Sequence, residues 1–236
     1  MTIATATFLL ILVCGIGVLA LMAVRDNRRA LGERLGLLDD AGKLFEEASV
    51  TQGADGFPVL KAMLPDGRSI AVEIIPDTLV CRRLPQLWLR LTVRHARPYY
   101  RPTIGALSRA TGAEFYSIVH EMPDRLEIPL PSELPLLVRG RGPRPTEIDH
   151  AAGVLRKLFG DPLMKEVAIT SEGVRIVRRI AEGSRGAHIL LRQAKFAVRA
   201  VPARFLMETL SAAEDMAMAF ETEGPVASER IERVLQ

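Results

Sequence analysis

Residues 3–24 read IATATFLLILVCGIGVLALMAV, an apolar run with no charged side chain and only Thr5, Thr7 and Cys14 to soften it. A helix rises about 1.5 Å per residue, so twenty-two such residues would cross a hydrocarbon core of about 30 Å. The run lacks the basic start of a cleaved signal peptide, and bulky Val13 precedes Cys14 where a lipid-attachment site wants a small residue. The pattern therefore predicts a transmembrane anchor over residues 1–24. Arg25, Arg28, Arg29 and Arg34 follow it at once, and no Lys or Arg precedes it. By the positive-inside rule the expectation is a single-pass protein of the bacterial inner membrane, N-terminus outside and C-terminal domain cytoplasmic.

Residues 25–49 carry Leu31, Leu35 and Leu38 at helical spacing and are expected to form a juxtamembrane helix. Gly36 and Gly42 interrupt the stripe, which favours packing on the chain's own domain over a coiled coil, with a homodimer as the competing arrangement. Residues 50–138 then change period. FPVLKAML, the turn Pro65-Asp66-Gly67-Arg68 and SIAVEII spell a β-hairpin. LWLRLTV alternates Trp88 and Arg90 against Leu87, Leu89 and Leu91, and further strands are expected over 114–119 and 134–138.

Residues 139–145, RGRGPRP, offer no face to bury and read as a linker. Beyond it the pattern predicts a helix opened by Thr146 and running to Phe159, strands over 166–170, 174–180 and 188–198, and a helix over 203–220. Residues 146–221 thus form an α-β-β-β-α region, and 222–236 a polar tail. The fold class expected is α+β: an N-terminal transmembrane helix, a β-rich middle region, then the α-β-β-β-α region.

Composition adds little to this. The chain has 236 residues, a hydrophobic fraction of 48% and a formal net charge of +3. Its two cysteines, Cys14 and Cys81, fall in different regions, so no disulfide within one domain is available, as in a reducing compartment. No phosphate-binding loop, dinucleotide fingerprint or nucleophile elbow occurs. His95, His120, His150 and His188 lack metal-ligand spacing, and His120-Glu121 runs into Pro123 rather than a zinc motif. No catalytic residue, cofactor site or metal site is therefore assigned, and a binding role is favoured over an enzyme.

Charge placement is the informative asymmetry. Residues 78–113 hold no Asp or Glu, yet they contain Arg82, Arg83, Arg90, Arg94, Arg97, Arg101 and Arg109, with Trp88, Tyr99 and Tyr100 interleaved. A second basic stretch runs from Arg175 to Arg204. The surface expected to meet a partner comprises Arg82, Arg83, Arg90, Arg94, Arg97, Tyr99, Tyr100 and Arg101. The expected function is binding of a protein partner or an anionic lipid surface. A membrane-associated enzyme of unrecognised class is the alternative. Nucleic-acid binding through the Arg/aromatic stretch 82–109 ranks last, because arginine and aromatic residues suit single strands but no binding motif accompanies them.

Overall fold

The computed structural model describes residues 3–78, 83–95, 101–186, 188 and 194–220. Nine strands make one sheet: β1 (Ala48–Gln52), β2 (Pro58–Met63), β3 (Ser69–Asp77), β4 (Gln86–Arg94), β5 (Thr103–Ser108), β6 (Asp124–Arg125), β7 (Leu136–Arg141), β8 (Met164–Thr170) and β9 (Gly173–Glu182). Their order is β1-β2-β3-β4-β9-β8-β5-β7-β6, and every neighbouring pair is antiparallel. The helices are α1 (Ile3–Leu35), α2 (Asp39–Gly42), α3 (Pro145–Leu158) and α4 (Ala203–Met218). The architecture is α+β.

Local chemistry explains the elements. The β2–β3 turn closes where Gly67 sits at φ 82° and the Asp66 carboxylate accepts the Arg68 N–H at 3.0 Å. α3 begins two residues earlier than Thr146 as its N-cap suggests: Arg144 is the cap, Pro145 takes the first position, and the Glu147 side chain reaches back to the Arg144 N–H at 2.7 Å. α4 starts after Pro202 and buries Leu206, Leu210, Ala213 and Ala217 on one face.

One side of the sheet carries the core. Leu87, Leu89, Leu91 and Val93 alternate inward from β4, with Ile70, Val72 and Ile74 from β3 and Val174 and Ile176 from β9. α3, α4 and the turn before α2, through Leu37 and Leu38, cover them. Each fully buried leucine stabilises by about 1.5–3 kcal/mol, so this layer dominates folding. The central pairing, β4 with β9, joins strands from either side of residues 139–145. The first three of those residues belong to β7.

Several expectations are corrected. Among the described residues no helix is long and apolar enough to cross a membrane. The transmembrane helix expected over 1–24 is therefore not supported, nor is the expected single-pass placement in the inner membrane with a cytoplasmic domain. α1 instead leaves Leu12, Ile16, Leu19 and Leu21 exposed, while Arg34 near its end lies over the Phe57 ring, 5.1 Å from the centroid.

The strand expected over 114–119 is a turn leading into a 3-10 helix at Val119–Glu121, because its own N–H groups bond locally: Phe115 to the Ala113 carbonyl, Ser117 to the Glu114 carbonyl and Val119 to the Ser117 hydroxyl. Of the strand expected over 188–198, residues 189–193 lie outside those described, and the remainder shows an isolated bridge between Gly183 and Phe196. The polar tail also lies outside the described residues.

The β8–β9 turn tests the central pairing. Gly173 has φ 157°, and a Cβ there would fall 2.0 Å from the Val93 carbonyl oxygen. Gly173→Ala should cost about 3 kcal/mol and lower Tm by roughly 6–12 °C in a thermal melt. An unchanged Tm would mean that β4 and β9 do not approach this closely.

Candidate functional site

The other face of the sheet is polar. Alternation along β4 sends Trp88, Arg90, Thr92 and Arg94 to it. The register adds Glu73, Ile75 and Asp77 from β3, Arg175, Val177 and Arg179 from β9, and Glu166, Ala168 and Thr170 from β8. Residues 109–123 pass over this face as a cover. Val119 and Met122 come so close to Gly105 of β5 that a Cβ there would stand 2.9 Å from both side chains.

A buried ion pair pins the cover. Glu114 has no side-chain exposure and accepts from Lys165 Nζ at 2.9 Å, Thr111 Oγ1 at 3.0 Å, the Gly112 N–H at 3.0 Å and His120 Nε2 at 3.2 Å. Lys165 donates its remaining protons to the carbonyls of Ser108 at 2.7 Å and Arg109 at 3.2 Å. Arg139 fastens the far end through the His120 and Pro123 carbonyls. Burial alone would raise the Glu114 carboxyl, but the bonds from Lys165, Thr111 and His120 outweigh it and hold it at about 2. Burial pushes the Lys165 ammonium below its ordinary value, with Glu114 opposing.

Beneath the cover, Ile75, Trp88, Tyr116 and Val177 form a small apolar cluster, with the Trp88 and Tyr116 ring centroids 5.9 Å apart. Arg90 is paired with Glu73, and Arg83 binds Asp77 at 2.6 Å. Glu166 is fully buried, and neither of its oxygens closes a hydrogen bond among the described residues. Burial raises its carboxyl, with Ser117 and Arg175 close enough to offset part of the effect.

A cleft of about 470 Å³ opens at one end of this layer, where β4, β5, β7, β8 and β9 meet the edge of the cover. Arg94, Arg141 and Arg175 line it with the hydroxyls of Thr92, Thr103 and Thr170; Glu121 and Glu172 also reach it. None of these three arginines forms an ion pair among the described residues. Arg175 Nε is buried with no partner there, and burial together with neighbouring Arg90 lowers the pKa of its guanidinium. Converging guanidinium forks and hydroxyls make a receptor for the oxygens of a phosphate or carboxylate.

The structure thus separates the arginines read from the sequence. Arg94 lies in the cleft, Arg90 is paired inside the layer, Arg83 is paired with Asp77 farther along, and Arg101 is buried. Arg82, Arg97, Tyr99 and Tyr100 lie outside the described residues. Arg141, placed in the supposed linker, and Arg175, noted only as the start of a basic stretch, were not among the expected site residues. Strand alternation in RIVRRI could have placed Arg175. Among the described residues no group of three or more His, Cys, Asp or Glu could hold a metal ion. No known protein family, curated protein or solved structure matches the chain.

Two titrations check the layer. Glu114 binds its proton more weakly in the folded chain than in the unfolded one. Its contribution, on the order of 3 kcal/mol, is therefore present above pH ~4.5 and lost as pH falls toward ~2. Glu114→Gln should lower Tm at pH 7, with the gap to the parent protein narrowing through that window; a constant gap would contradict the pairing. Glu166 has the opposite sign, since its raised value means that stability is lost as pH rises through it. Glu166→Gln should raise Tm by a few degrees at pH 8, about 1 kcal/mol, and gain nothing below pH ~4. A loss at pH 8 would show that the carboxylate is well solvated.

Proposed function

We propose that the protein is a binding protein for an anionic ligand, held through a phosphate or carboxylate group in the Arg94–Arg141–Arg175 cleft. The observation that carries this reading is a contrast within one face. Arg83 and Arg90, deeper in the layer, have carboxylate partners, whereas the three at the cleft form no ion pair among the described residues. Three guanidinium groups there outnumber the two carboxylates of Glu121 and Glu172, and an anion relieves the remaining repulsion. This keeps a binding role and moves it from the 82–101 stretch to a cleft built from five strands, β4, β5, β7, β8 and β9. An enzymatic role has less support. Lys165 has all its protons engaged, and Glu166 is sealed from solvent.

Calorimetric titration with inorganic phosphate and with succinate at low ionic strength tests this, with chloride as the control. Saturable binding is expected, with Kd on the order of 1 mM for so small a probe. Arg175→Gln and Arg94→Gln should each weaken it at least about tenfold. A response to phosphate and succinate no different from that to chloride would defeat the proposal.

A further inference from the structure

A second cleft, of about 360 Å³, opens at the opposite end of the same layer. We infer that it is a separate binding site for an amphipathic anion, a carboxylate or phosphate monoester carried on an apolar body. This site is independent of the first cleft and does not rest on its ligand.

The backbone supplies the first observation. Arg109 sits at φ 48°, the left-handed region that residues with a Cβ avoid, and no other non-glycine residue among those described does so. It is held there from both sides: its N–H donates to the Pro135 carbonyl at 3.1 Å, and its carbonyl accepts from buried Lys165 at 3.2 Å. The Glu114–Lys165 pair thus fixes a strained residue whose side chain lines the cleft.

The second observation is charge. Arg109 and Arg179 both line the cleft, and neither forms an ion pair among the described residues; Arg179 has a 3.5 Å contact with the Gln86 side-chain oxygen. Of the three acids that line the cleft, Asp161 alone has an ion-pair partner among the described residues, while Glu182 and Glu133 are bonded to neutral groups and keep their charge. Asp161 is bound to Arg178 at 2.8 Å, and Glu182 accepts from Gln86 at 2.9 Å. Glu133 stays exposed and bonded to Ser132.

The third observation is the wall. Leu134, Leu136, Phe159 and Leu163 line the cleft with Trp88, which gives it a wall of large apolar side chains beside the hydroxyls of Ser108 and Thr111. A cleft of this size with an apolar wall and a few convergent cations suits a small molecule with one charged end.

Trp88 is the one tryptophan in the chain, buried at 5% exposure, and its fluorescence reports this cleft directly. The full chain is titrated with phenyl phosphate, benzoate and phenol. Saturable changes are expected with one or both anions at concentrations below about 10 mM, and not with phenol. Whichever anion binds more tightly names the charged group. Arg109→Asn, which keeps a residue tolerant of the left-handed conformation, and Arg179→Gln should each weaken binding about tenfold or more. Arg204→Gln, which removes the same charge from an exposed helix position, should leave it unchanged. The inference is overturned if neither anion gives a saturable change, if phenol matches the anions, or if Arg204→Gln weakens binding as much as the cleft variants.

Discussion

A carboxylate and an ammonium sealed from water hold this structure's working face together. Glu114 and Lys165 lie under the cover at 2.9 Å, and between them they engage Thr111, Gly112, His120 and the carbonyls of Ser108 and Arg109. Such a pair adds little net stability compared with an apolar substitute, because both charges must be desolvated. Breaking it by removing one partner costs about 3–5 kcal/mol, since a buried charge is left alone. Its consequence is geometric: residues 109–123 are set at one height over the sheet, and the two clefts are the gaps left at either end.

Strand alternation supplies the rest. β4 and β9 each send one set of side chains into an apolar core and the other into a layer crowded with arginine. Inside the layer, Glu73 and Asp77 of β3 answer Arg90 and Arg83. At its ends Arg94, Arg141 and Arg175, like Arg109 and Arg179, form no ion pair among the described residues, although carboxylates also line both clefts.

Part of this is legible in the sequence. Pro65-Asp66-Gly67 encodes the β2–β3 hairpin, and the apolar spacing of residues 203–217 encodes α4, because both depend on neighbours in the chain. The pairing of Gln86–Arg94 with Gly173–Glu182 is non-local and leaves no such mark. Residues 139–141 read as linker because Gly140 and two arginines show no buried face. In the sheet Gly140 is needed because a Cβ there would lie 2.4 Å from the Thr103 carbonyl oxygen. The arginine enrichment of residues 82–101 was visible too, but which guanidinium groups meet an acid depends on the pairing of β3 with β4, which sets Glu73 beside Arg90 and brings Arg83 within reach of Asp77. The apolar N-terminal run shows the limit from the other side: composition along a line suggested a spanning helix that the described residues do not support.

An anion held in the cleft of Arg94, Arg141 and Arg175, with the Glu114–Lys165 pair still closed, would be visible in a crystal structure of the protein in saturating inorganic phosphate. Phosphate oxygens are expected about 2.7–3.2 Å from Arg175 and from Arg94 or Arg141, with the pair intact. Water alone in the cleft, with phosphate bound only at exposed arginines elsewhere, would contradict the proposal.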